Sequence, residues 1–146
     1  MIQPIETRYQ GYLFRSRLEA RWAVFFDHLR LHWEYEKEGF YIDDVMYLPD
    51  FYVRSESDQG WFIEVKGDVT DTESVRKAKL LDQQPPPYAS GCILVSTLEF
   101  PAPQDMPAEH NHMNTVARLL LADESLVRVM QAVEQARMAR FQNGWR

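Results

Sequence analysis

The chain reads Tyr47-Leu48-Pro49-Asp50-Phe51-Tyr52-Val53 near its centre and, a short interval later, Trp61-Phe62-Ile63-Glu64-Val65-Lys66. Both stretches are rich in aromatic and aliphatic residues, which is typical of β-strands. The interval from Ser55 to Gly60 is polar and predicts a turn. We therefore expect two strands joined into a β-hairpin.

The hairpin determines which side chains lie together. Because side chains alternate along a strand, Glu64 and Lys66 are expected on one face, and Ile63 and Val65 on the other. In the register of a simple hairpin, Asp50 lies beside Glu64.

Two neighbouring carboxylates and a lysine form a chemically informative group. Asp50 and Glu64 would repel each other unless one took up a proton or a cation joined them, and their hard oxygen atoms suit Mg²⁺ or Mn²⁺. Such a metal polarises a phosphodiester and lowers the pKa of a bound water, while Lys66 would position that water or offset developing charge. The pattern favours metal-dependent phosphodiester hydrolysis.

In Pro49-Asp50 and Glu64-Val65-Lys66 the chain resembles the PD-(D/E)XK nuclease superfamily. The resemblance implies a restriction-endonuclease-like αβββαβ core, in which helices flank a mixed central sheet, followed here by C-terminal helices. It also implies a deoxyribonuclease activity and a metal ligand in the backbone carbonyl of Val65. Such short signatures occur by chance, and their setting on two predicted strands after a helix gives them weight.

The preceding helix is predicted from Ser16 to Arg30, where Leu18, Trp22, Phe25 and Leu29 share one apolar face. An amphipathic helix of this kind packs on a sheet.

Glu19 on this helix has two interpretations. Members of the superfamily often carry a glutamate on the first helix that reaches the metal site, and Glu19 fits that role. Ser16 and Glu19 also form a capping-box pattern, in which Glu19 would only satisfy a backbone N–H at the helix start. The stretch Phe14 to Ala23 is similar to segments in small nuclease-like proteins of phages and other mobile elements.

The remaining predicted elements follow the order of the αβββαβ core. Residues 33–36 predict the first strand, Thr72 to Asp82 the second helix, and residues 91–96 a buried last strand. In related nucleases the second helix often bears a polar or basic residue that faces the site, and Lys77 or Lys79 fits that role. A solvated basic face is the alternative.

The formal net charge of −6 opposes nucleic-acid binding, but the charges are unevenly distributed. An acidic block follows an N-terminal segment in which four arginines gather near Tyr9 and Tyr12, namely Arg8, Arg15, Arg17 and Arg21. We expect Arg8, Arg15 and Arg17 to contact phosphates, with scattered surface arginines as the alternative.

The C-terminal part, from about residue 111 to 142, predicts a helical extension of a single domain whose core spans about residues 9–100. Apolar residues recur there at helical spacing: Leu126, Val129, Met130, Val133 and Phe141. We expect this helix to cover the sheet, and a homodimer interface is the alternative.

Composition sets the remaining limits. The 146 residues are 45% hydrophobic, which is enough for one packed core, and the single cysteine, Cys92, falls in a predicted buried strand. No apolar run is long enough to span a membrane, so we expect a cytoplasmic protein of a prokaryote or a phage-infected host. His110 and His112 lie in a proline-rich loop and receive no catalytic role.

Three functions remain open. The first is an Mg²⁺-dependent or Mn²⁺-dependent endonuclease that acts on DNA, alone or within a larger nucleoprotein complex. The second is a catalytically silent nuclease-fold module that binds nucleic acid or a partner protein. The third is a structural protein in which Asp50, Glu64 and Lys66 form only a salt-bridged surface.

Overall fold

The computed structural model describes residues 4–55, 60–67, 72–96 and 126–141. Within these ranges the helices are α1 (Arg17–His28), α2 (Thr72–Gln83) and α3 (Leu126–Met138). The strands are β1 (Thr7–Tyr9), β2 (Tyr12–Phe14), β3 (His32–Tyr35), β4 (Phe40–Ile42), β5 (Val45–Tyr47), β6 (Phe51–Arg54), β7 (Gly60–Val65) and β8 (Ala89–Val95).

The central sheet has four strands in the order β3-β6-β7-β8. Strand β6 pairs antiparallel with both β3 and β7, whereas β8 is parallel to β7. A parallel pair needs a crossover connection, and α2 lies in the chain between β7 and β8. The predicted α/β class with a mixed sheet is therefore confirmed.

The two faces of this sheet pack against different elements. On one face, Ile63 and Val65 join the core that contains α1, as the predicted alternation requires. On the other face, Phe62 packs with Ala78 and Leu81 of α2. Strand β7 has apolar side chains on both of its faces. Glu64 is the charged residue among them, and it is buried as well.

Helix α1, which the sequence predicted, is deeply buried along one face. Ser16 caps it by accepting a hydrogen bond from the backbone N–H of Glu19, and Trp22, Phe25 and Phe26 are fully buried. The helix ends two residues earlier than predicted, because Arg30 adopts a left-handed conformation with φ of 57°.

The prediction of one continuous strand from Tyr47 to Val53 is wrong. The segment contributes to β5 and β6, which belong to different sheets, and Leu48-Pro49-Asp50 separates them. Proline has no N–H for a sheet ladder and restricts the residue before it, so the chain leaves one strand before it enters the next. Asp50 thus lies just ahead of β6.

Two small hairpins, β1–β2 and β4–β5, were not predicted. Each has a two-residue turn with positive φ at both positions: 51° and 84° at Gln10 and Gly11, and 49° and 64° at Asp43 and Asp44. These angles match a type I′ turn, which suits the right-handed twist of paired strands. The Gln-Gly pair between Tyr9 and Tyr12 and the Asp-Asp pair between Ile42 and Val45 were the available signal.

Helix α3 packs mainly against α1. Val129 and Val133 are buried there as predicted, together with Ala136 and the following Phe141. The assignment of Met130 to this buried face is wrong, because its side chain is 48% exposed. Covering of the sheet by this helix is indirect, since α1 is its principal partner.

The proline-rich loop with His110 and His112, and the extension up to residue 125, lie outside the described residues. In the portion that is described, no helix has the length and apolar character needed to cross a membrane.

Candidate functional site

Three carboxyl groups are buried near the start of the β6–β7 hairpin. Glu19, Asp50 and Glu64 are exposed by only 5%, 8% and 6%, and they are the only buried carboxylates in the part of the chain that the structure describes. Buried charged groups are costly unless they are paired or neutralised, so their concentration in one place demands an explanation.

Asp50 is placed by the register of the hairpin. Phe51 pairs with Ile63, so the preceding Asp50 falls opposite Glu64, as the sequence predicted. The Asp50 carboxylate accepts a hydrogen bond of 2.8 Å from the backbone N–H of Val65. This bond ties the carboxyl of the Pro-Asp segment to the end of β7.

Glu64 is held by a hydrogen bond from the β4–β5 hairpin. The Tyr47 hydroxyl donates a hydrogen bond of 2.8 Å to Oε1 of Glu64 and lies 4.0 Å from the Cys92 Sγ atom. Tyr47 is itself buried and belongs to β5, so the β4–β5 hairpin forms one wall of the site.

Glu19 carries out the cap function and also reaches the site. Its Oε1 atom accepts hydrogen bonds from the backbone N–H of Ser16 at 3.0 Å and from the Tyr35 hydroxyl at 3.0 Å. The charge of Glu19 also acts on Asp50, where, after burial and the Glu64 charge, it raises the pKa of that carboxyl. The two interpretations of Glu19 are therefore compatible in space.

Lys66 follows the last residue of β7 and is fixed through its backbone N–H, which donates to the Val95 carbonyl at 2.9 Å. Its ammonium group acts electrostatically on Glu64, where it lowers the pKa of the carboxyl. Val65 turns its side chain into the core. The structure thus brings Asp50, Glu64 and Glu19 together with Lys66 at the edge of the group.

The electrostatics of the group favour protonated carboxyls in the absence of a cation. Burial, followed by the Glu64 and Glu19 charges, raises the pKa of Asp50 from 3.8 to about 9. Burial also raises the pKa of Glu64, and the Tyr47 hydrogen bond and Lys66 oppose that rise. Burial raises the pKa of the Cys92 thiol to about 12, which keeps it protonated at neutral pH.

No hydrogen bond or ion pair among the described residues joins the side chain of a predicted phosphate-contacting residue to the carboxyls, although the backbone N–H of Arg15 donates to the Tyr35 hydroxyl at 3.1 Å. Arg8 lies exposed on β1, and exposed Arg15 forms an ion pair of 2.8 Å with Glu36. Arg17 opens α1, and Lys77 is half-buried on α2. Nothing in the described contacts of Lys77 directs it towards the carboxyl group.

Two residues of the site were missed by the sequence analysis. Tyr47 and Tyr35 donate hydrogen bonds to Glu64 and Glu19, their partners 17 and 16 residues away in the chain. Tyr47 stands just before Pro49-Asp50, but a tyrosine on a predicted strand is an ordinary core residue. Only the packing of separate hairpins shows its role.

No group of three or more His, Cys, Asp or Glu side chains among the described residues has the arrangement of a metal centre. The oxygen atoms of Asp50 and Glu64 are nevertheless of the type that Mg²⁺ and Mn²⁺ prefer. Mg²⁺ is commonly held by one or two carboxylates, with water and substrate phosphates completing its shell.

Each polar atom buried in a described side chain has a hydrogen-bond partner, so the carboxyl group is stable as it stands when protonated. Ionisation would create negative charges, and Lys66 is the only positive charge among the causes that act on Glu64 and Asp50 in the described part of the chain. The donor set and this charge imbalance both fit a divalent cation.

Comparisons with protein-family models, with curated proteins and with solved structures found no match for this chain.

Proposed function

We propose that the protein is a metal-dependent deoxyribonuclease that hydrolyses phosphodiester bonds at Asp50, Glu64 and Lys66. The observation that carries this proposal is the convergence of three buried carboxyl groups beside a lysine. Perturbed carboxyls gathered in one place are typical of functional sites, because folding alone gains nothing from bringing them together.

The architecture supports the same proposal. Along the chain, the central sheet and the helices next to it follow the order α1, β3, β6, β7, α2, β8. This is the αβββαβ order that the resemblance to the PD-(D/E)XK superfamily implies, and it underlies our proposal of a restriction-endonuclease-like core. The Pro49-Asp50 and Glu64-Val65-Lys66 residues occupy adjacent ends of β6 and β7.

The proposed roles follow from the geometry. Asp50 and Glu64, with the Val65 backbone carbonyl, would hold a Mg²⁺ or Mn²⁺ ion, and Glu19 would contribute to the same site. When bound, such an ion polarises the scissile phosphate and lowers the pKa of a water. Lys66 supplies positive charge at the edge of the group, where it orients the attacking water or offsets charge on the phosphate oxygens.

The two tyrosines act as positioning residues in this proposal. Tyr47 holds one oxygen of Glu64, and Tyr35 holds Oε1 of Glu19. Fixing a carboxylate in advance reduces the reorganisation needed when the reacting groups come together.

The test is cleavage of labelled duplex, single-stranded and four-way-junction DNA with Mg²⁺ or Mn²⁺, beside an EDTA control. Metal-dependent cutting that is lost in Asp50→Ala and Lys66→Ala would support the proposal and identify the substrate class. Circular dichroism of each variant would establish that it remains folded.

Absence of cutting on all substrates by the folded wild-type protein would overturn the proposal as stated. DNA or protein binding that persisted in EDTA would then support a silent nuclease-fold module. An unchanged melting temperature on addition of Mn²⁺, together with no binding, would indicate that the carboxyl group has only a structural role.

A further inference from the structure

A basic cleft lies between the start of α1 and the end of α3. It has a volume of about 180 Å³, and three arginines line it together with Ala139 and Phe141, namely Arg17, Arg21 and Arg140. We propose that this cleft binds a phosphate of the DNA backbone at a distance from the cleaved bond. The inference rests on the proposed nuclease function and extends it to how the substrate is held.

The charged side chains that line the cleft are all positive. Ion pairs within the described part of the chain involve other residues, so no carboxylate there neutralises Arg17, Arg21 or Arg140. Burial, and then the Arg17 charge, lowers the pKa of Arg21. Among the described residues, like charges are therefore held together without a counter-charge, which favours an anion from outside.

The three arginines of the cleft have different roles. Nη1 of Arg21 donates to the carbonyls of Ala136 and Arg137 at 2.8 Å each and to Ala139 at 3.2 Å. The Arg21 guanidinium also lies 5.5 Å from the centre of the Phe141 ring. Arg21 is thus a strut that joins the two helices and shapes the cleft.

Arg17 and Arg140 have no such structural duty among the described contacts. Arg17 is the first residue of α1, where the positive end of the helix dipole disfavours a cation. Arg140 is exposed and follows the end of α3. An arginine at a position that is unfavourable for folding, beside a second arginine with no described structural contact, indicates that these guanidinium groups serve binding.

The cleft and the carboxyl group lie on opposite sides of α1. Residues two positions apart on a helix point to nearly opposite sides, so Arg17 and Arg21 lie across α1 from Glu19. The helix is about 10–12 Å wide with its side chains, and successive phosphates advance about 3.4 Å along the axis of a DNA strand. Because the width of α1 exceeds the advance per nucleotide, a phosphate held in the cleft is not the one that is cleaved.

The test is binding of labelled DNA in EDTA, measured by fluorescence anisotropy over a range of salt concentrations. Arg17→Ala and Arg140→Ala should each weaken binding regardless of sequence and reduce the salt slope of the logarithm of the binding constant by about 1. Arg76→Ala is the matched control, because Arg76 is an exposed arginine of α2 paired with Glu73. It should leave the slope unchanged.

A second arm locates the contact. Neutral methylphosphonate linkages would be introduced one at a time along the DNA. At the position that occupies the cleft, the neutral linkage should weaken wild-type binding and should abolish the difference between wild type and Arg140→Ala. We expect that position to be a linkage other than the cleaved one.

The outcomes separate this inference from the function on which it rests. If the wild type cuts DNA while Arg17→Ala and Arg140→Ala bind with its affinity and salt slope, the cleft inference is overturned and the nuclease stands. If those variants lose thermal stability but not DNA affinity, the cleft serves folding and the inference is also overturned. If the wild type neither binds nor cuts DNA, both proposals fail.

Discussion

The two sides of the first turns of α1 hold opposite charge. On one side, Glu19 meets Asp50 and Glu64 in a buried carboxyl group. On the other side, Arg17 and Arg21 face Arg140 in a partly open cleft. Like charges are gathered in both places, so neither arrangement is the one that folding alone would favour.

The two sides differ in how that repulsion is relieved. The carboxyl group is removed from water, and it takes up protons and hydrogen bonds from Tyr47 and Tyr35. Guanidinium groups remain charged at any ordinary pH, so the cleft can be neutralised only by an anion. Under the proposed function, one side would hold a cation and the other an anion, as a phosphodiester substrate with its metal requires.

The largest expected effect is on the rate of DNA cleavage, and it tests the acidic side of α1. Asp50→Asn keeps an acceptor for the Val65 N–H but removes a charge that the proposed metal needs. We expect its cleavage rate to fall by roughly 10²–10³ or more. Asp44→Asn is the control, since Asp44 lies in a turn at positive φ that asparagine tolerates, and its rate should match the wild type.

The second effect is the pH dependence of stability without metal. The folded pKa of Asp50 is raised, so the unfolded chain ionises first as pH rises from about 4 to about 9, and stability falls across that window. The loss is at most about 1.4 kcal/mol per pH unit for this group.

Urea unfolding at pH 6 and pH 8 in EDTA measures this dependence. The wild type should lose more stability between the two values than Asp50→Asn, and added Mn²⁺ should restore the wild type more at pH 8. Identical pH dependence in the two proteins would contradict the view that Asp50 is protonated in the metal-free state.

The third effect concerns the arginine strut. Arg21→Ala leaves three carbonyls of the α3 end without their guanidinium donor, and we expect it to lower the free energy of unfolding by about 1–3 kcal/mol. Arg140→Ala should change it by less than about 0.5 kcal/mol, as for other exposed side chains. Chemical denaturation compares them, and equal losses would argue against separate roles.

The smallest effect is expected for Tyr47→Phe. The Tyr47 hydroxyl lowers the pKa of Glu64, so its removal makes protons compete more strongly with a metal for that carboxylate. We expect a loss of about tenfold or less in cleavage rate near neutral pH, recovering as pH rises. A loss that was independent of pH would indicate a role for Tyr47 other than adjusting Glu64.

The sequence alone predicted the elements whose signals are local. The apolar spacing of α1, the alternation along β7 and the pairing of β6 with β7 required only neighbouring residues, and they placed Asp50 beside Glu64. The continuous strand from Tyr47 to Val53 was predicted wrongly because its aromatic composition was given more weight than Pro49.

The tertiary structure decided what joins separate elements. It placed Tyr47 on Glu64 and connected Arg21 to the carbonyls of α3, 115 to 118 residues further along the chain. Periodicity records which face of an element is apolar, whereas contacts between elements depend on how those faces pack in three dimensions. The charged residues were therefore visible in the sequence, and the partners that they meet on either side of α1 were not.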